Sequence, residues 1–72
     1  MEKRTALIRI GKNIRKIREE KNISQQDLAA ICNFEKSNMS RIEAGRTNLT
    51  IDTLLKISDA LQVKLVDIVD VE

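Results

Sequence analysis

Apolar residues return along this chain at steps of three and four, separated by short polar breaks. Leu7, Ile10, Ile14 and Ile17 form the first such stripe, which predicts one amphipathic helix over about residues 6–21. "NIS" at 22–24 interrupts it. Ser24 can then cap a second helix, because Asp27 stands three residues on, at capping-box spacing. Leu28, Ala29 and Ile31 are expected to form its buried face, and it ends near Cys32 and Asn33. Phe34 follows as an apolar plug between helices. A third helix covers about 35–44 and stops at Gly45, whose freedom at positive φ suits the residue after a helix. Thr50 can cap a fourth, running to about Leu61 with Leu54, Ile57 and Leu61 in register, and a last turn or two covers about 64–69. The pattern therefore predicts an all-α fold of five short helices in one domain, residues 1–72.

The third helix divides by angle into separate faces. At 100° per residue, with Met39 at 0°, Ile42 falls at about 300° and the buried centre at about 330°. Ser37, Ala44, Ser40 and Arg41 occupy the opposite side, with Lys36 and Asn38 on its flanks. Short polar side chains and an arginine on one exposed face suit the DNA major groove, which is about 12 Å wide and admits one helix. An ordinary solvated helix face is the competing reading. Glu43 lies beside the buried stripe, at about 40°, and Arg18 takes the corresponding place beside Ile14 and Ile17 on the first helix. Opposite charges at the edges of two core-facing stripes predict a partly buried ion pair between Arg18 and Glu43, with a solvent-exposed pair worth under about 1 kcal/mol as the alternative.

Composition narrows the class. Of 72 residues, 42% are hydrophobic and 33% charged, with Phe34 the one aromatic, no proline and only two glycines; that favours helices with tight connections. The net charge of +2 conceals a gradient, +5 over residues 1–22, zero over 23–48 and −3 over 49–72. A basic first part suits an anionic partner such as nucleic acid. Without histidine, and with Cys32 alone, the chain has no materials for a disulfide, a zinc site or a nucleophilic triad. No phosphate-binding glycine loop is present, and Asp67, Asp70 and Glu72 read as a solvated acidic end. No apolar run approaches the roughly 20 residues that cross a bilayer. No enzymatic activity, cofactor, metal or membrane contact is expected, and the natural location is the cytoplasm.

Residues 17–63, from "IREEKNISQQDLAA" through "SRIEAGR" to "LLKISDALQV", with "KLVDI" after them, resemble the phage-repressor and Cro type of helix-turn-helix domain, the XRE family. The resemblance implies a compact five-helix, lambda-repressor-like DNA-binding domain, with the motif over about 24–44. It implies that Lys36, Ser37 and Arg41 read base edges, and that Gln25 touches a phosphate and braces the recognition helix. Asn38 matches a backbone-contacting position, and Arg46, Thr47 and Asn48 fall in a loop that grips phosphates. Ser24 and Ser40, as exposed hydroxyls on the same two helices, join this positioning set. Arg18 and Glu43 match a structural ion pair, in accord with the angular argument. Glu35 departs from the usual serine or threonine, and can cap, favour the helix dipole or accept from a cytosine amine. Leu49 stands where proline is frequent, and Lys64 where a capping serine is usual.

One helix reads only a few base pairs, so a homodimer on a two-fold operator is expected. With Leu65 and Ile68 facing the core, Val66, Val69 and Val71 are left as a candidate dimer patch within 64–72; packing of these valines on the first helix is the alternative. The expected function is sequence-specific DNA binding by a transcriptional regulator, of the kind seen in restriction–modification controllers and phage-type repressors. With nothing beyond the DNA-binding segment, no small-molecule ligand is expected. An antitoxin, binding a protein partner and co-repressing, is the other reading.

Overall fold

The computed structural model describes residues 1–71; Glu72, assigned above to the acidic end and to the last position of the dimer segment, lies outside them. Five helices follow in order: α1 (Lys3–Glu20), α2 (Gln25–Ile31), α3 (Lys36–Glu43), α4 (Ile51–Leu61) and α5 (Leu65–Val69). α1 begins at Lys3, three residues ahead of the start expected at about residue 6, and no side-chain cap marks that start. The other boundaries lie within about a residue or two of those expected.

Ile14, Leu28, Met39, Ile42, Ile57, Leu61 and Ile68 are sealed from solvent at the centre, each exposed by 2% or less. The core faces follow the predicted angles on α3, α4 and α5 and on α1 from Ile10 onward, but not on α2. There Cys32 is buried, whereas Ile31 is 61% exposed. From Leu28, Ala29 lies at about 100° and Cys32 at about 40°, so the buried side centres near 50° and Ile31, at about 300°, points away from it. Burial pushes the Cys32 thiol up from its ordinary pKa, and its sulfur lies 3.8 Å from the Lys56 carbonyl.

α1 to α4 all end alike. Asn22, Asn33, Gly45 and Gln62 take left-handed φ values of 58°, 59°, 72° and 58°. The next residue then donates its N–H five residues back, Ile23 to Arg18, Phe34 to Ala29, Arg46 to Arg41 and Val63 to Ser58, at 2.8–3.0 Å. These are Schellman closures, which satisfy carbonyls that a helix end leaves open. Ile23, Phe34 and Val63 tuck against the core in this place. After α3 the same position is held by Arg46, which is exposed.

The starts differ more. Ser24 Oγ accepts from the Asp27 N–H at 3.0 Å, and Thr50 Oγ1 from the Thr53 N–H at 3.1 Å. Lys64 has no acceptor to offer, so α5 uses the reverse bond, from the Lys64 N–H to the Asp67 carboxylate at 3.0 Å. Leu49, in place of the usual proline, packs against the core.

The chain end corrects the expectation of three exposed valines. Only Val66 is well exposed, at 59%; Val69 packs against the core and Val71 is half-buried. α1 is the cause. Asn13 Nδ2 donates to the carbonyls of Ile68 and Asp70 at 3.2 and 2.7 Å, and Arg9 donates to that of Val71 at 2.7 Å. These bonds draw the tail onto α1.

Candidate nucleic-acid interface

α3 is held from beneath by apolar contact and by charge. Met39 and Ile42 enter the core, and Glu43 is buried beside them. Arg18 Nε donates to Glu43 Oε2 at 2.7 Å and a second guanidinium nitrogen donates to Oε1 at 3.0 Å, a two-pronged pairing. Its remaining nitrogen donates to the Ile23 carbonyl at 2.9 Å, tying in the turn between α1 and α2. The hydrogen bond that Arg18 donates to Glu43 raises the Arg18 pKa above its usual value, outweighing burial, which pulls the other way.

Gln25 completes the brace. Its side-chain amide donates to Glu43 Oε1 at 3.1 Å, so the first residue of α2 locks onto the last turn of α3. One amide hydrogen remains for a partner outside.

The same end of α3 rests closely on α1. A Cβ at Gly11 would come within 2.7 Å of the Ile42 carbonyl oxygen and still closer to that of Glu43. Gly45, already left-handed, packs over Ile8. Two glycines thus let backbone approach backbone, and they fix the angle at which α3 crosses α1.

What α3 turns outward is polar. Glu35, Lys36, Ser37, Ser40, Arg41 and Ala44 are exposed, and Asn38 is half-buried on the flank. Glu35 sits at the N-cap but makes no side-chain capping bond, which leaves its carboxylate at the surface. Two open clefts lie at the ends of this helix. Ser24, Gln25 and Lys36 share the first with Arg15 and Gln26. Arg46, Thr47 and Asn48 share the second with Arg4 and Gly45. The sequence-predicted positioning residues are therefore gathered at both ends of α3, with Asn38 and Ser40 between them. Arg4 and Arg15 carry no motif of their own, and only the crossing of α1 over α3 brings them in, whereas Gln26 follows Gln25 on α2.

Val66, Val69 and Val71 lie outside this arrangement, on or beyond α5. Among the described residues, no group of three or more metal-binding side chains occurs and no helix is long and apolar enough to cross a membrane.

A helix-turn-helix family model matches residues 14–68, which include α2, α3 and the core of the fold. The control protein C.BamHI of Bacillus amyloliquefaciens is 41% identical over 61 residues, covering 83% of this chain and 75% of the relative. The uncharacterized HTH-type transcriptional regulator y4dJ of Sinorhizobium fredii is 35% identical over 60 residues, covering 83% of this chain and 78% of its own. Among solved structures, the restriction-modification controller protein C.AhdI of Aeromonas hydrophila superposes with a TM-score of 0.83 at 27% identity, covering 86% of this chain and 94% of that one. Family match and geometry agree: the chain belongs to the XRE-type helix-turn-helix family of DNA-binding transcriptional regulators.

Proposed function

We propose that the protein binds a two-fold symmetric DNA operator as a homodimer, with α3 of each copy in the major groove, and regulates transcription by occupancy and not by catalysis. In this reading Lys36, Ser37 and Arg41 contact base edges, and Glu35 accepts from a cytosine amine. Ser24, Gln25, Asn38, Ser40, Arg46, Thr47 and Asn48 hold the phosphates and set the register. The observation that carries this is the division of α3: Met39, Ile42 and Glu43 are buried on one side, and the other side offers Ser37, Ser40, Lys36, Arg41 and the Glu35 carboxylate with no large apolar side chain. Similarity to C.BamHI and C.AhdI favours control of a restriction–modification system in the cytoplasm over other regulatory settings.

The support for a dimer differs from the valine patch. The large apolar side chains left exposed on the last two helices are Ile51, Leu55 and Val66, at 63%, 41% and 59%. Ile51 and Leu55 are one turn apart on α4, and α5 packs against α4. Ile51 and Leu55 on α4, with Val66 the retained member of the original trio, are the better candidates for the symmetric contact.

Arg41→Ala is expected to weaken binding to the preferred operator by about 1–3 kcal/mol and to relax the choice of base at one position of each half-site. Binding assays across single-base operator variants test it. An equal loss on every sequence would make Arg41 a phosphate contact and remove it from base reading.

A further inference from the structure

We propose that α1 is a two-sided phosphate clamp, in which Arg4 and Arg15 grip the opposite sugar–phosphate walls of the groove that α3 enters. The proposal rests on the reading of α3 as the groove-entering helix, and it adds a second helix to the interface. Eleven residues of α-helix leave Arg4 and Arg15 about 20° apart around the axis and about 16 Å apart along it. Gly11, where α1 touches the end of α3, lies between them on the same side, about 20° from Arg4 and about 40° from Arg15. The two arginines therefore flank the crossing point and open on the two clefts described above. Arg4 meets Arg46, Thr47 and Asn48 past the end of α3. Arg15 meets Ser24, Gln25, Gln26 and Lys36 at its start.

The spacing fits the target. A major groove about 12 Å wide is bounded by phosphates on both sides, and two long side chains rooted about 16 Å apart can straddle it. Both arginines are exposed. Arg15 pairs with Glu19 at 3.3 Å, but with side chains 64% and 57% exposed the contact is screened and exchangeable for a phosphate. Several other basic side chains of α1 have different surroundings, Lys12 among them, which lines a cleft with Asp70 and Val71. Arg9 is committed to the Val71 carbonyl and Arg18 to Glu43, while Lys16 lines a separate cleft with Asn13, Val63 and Asp67.

Salt titration of binding separates this role from a merely basic surface. For the full chain on its selected duplex, where each bound dimer carries two copies of every side chain, Arg4→Gln and Arg15→Gln should each lower the slope of log K against log salt by about 1.8, and the double variant by about 3.6. Affinity for selected and scrambled duplexes should fall by the same factor, with the preferred sequence unchanged. Lys16→Gln should leave the slope as it was. Unchanged slopes for either arginine, an equal drop for Lys16→Gln, or an altered base preference would overturn the clamp. A wild-type chain that selects no sequence would instead overturn the underlying reading of α3.

Discussion

Glu43→Ala is expected to destabilise the protein by about 3–5 kcal/mol, the largest loss from any single polar side chain, because it strands Arg18. The Arg18 side chain is 10% exposed and that of Glu43 is 4% exposed. Without the carboxylate, the guanidinium keeps only the Ile23 carbonyl, and the Gln25 amide loses its acceptor as well. Arg15→Ala provides the contrast, since its pair with Glu19 is mostly solvated and should contribute under about 1 kcal/mol. Urea denaturation of both variants checks the difference. The double variant Arg18→Met/Glu43→Leu should recover most of the loss, because no charge is then left unpaired in the core. Loss of less than about 1 kcal/mol in Glu43→Ala would mean that the pair does not hold α3 in place.

Gly11→Ala is the second large effect, and local preference would give it the opposite sign. In an exposed helix interior the exchange gains about 0.5–1 kcal/mol. Here the new methyl group meets the carbonyl oxygens of Ile42 and Glu43, which belong to backbone and cannot rotate away. A net cost near the upper end of the 1–3 kcal/mol typical of overpacking is expected. Because the clash sits where α1 crosses α3, operator affinity should fall further than the population of folded protein accounts for. Thermal melting and DNA titration on the same samples separate the two losses. A more stable Gly11→Ala protein would contradict the close crossing.

The helices, the buried side of α3 and the Arg18–Glu43 pair follow from spacing alone, because each depends on the fixed angle between neighbours on one helix. Features set by contacts between helices are less legible. Ile31 and Cys32 are both apolar, and only the angle relative to Ala29 decides which is buried. Gly45 announces its left-handed turn, but Asn22, Asn33 and Gln62 do not, since these residue types tolerate the conformation without requiring it. Val69 and Val71 look free in the sequence because Asn13 and Arg9, which draw the chain end inward, are more than fifty residues away. Arg4 and Arg15 look like two of eight basic residues in the first 22. Their common face is readable by angle, but its relation to α3 depends on how closely Gly11 lets the helices cross.

The central claim is that the outer face of α3 reads sequence while two copies of the chain sit side by side. Selection of bound duplexes from a random library tests it most directly. The expected result is an inverted repeat whose half-sites are centred about one helical turn, roughly 10 base pairs, apart. Arg41→Ala should blur one position in each half of that repeat. Enrichment of no motif at all, or of a single unrepeated motif, would contradict the account.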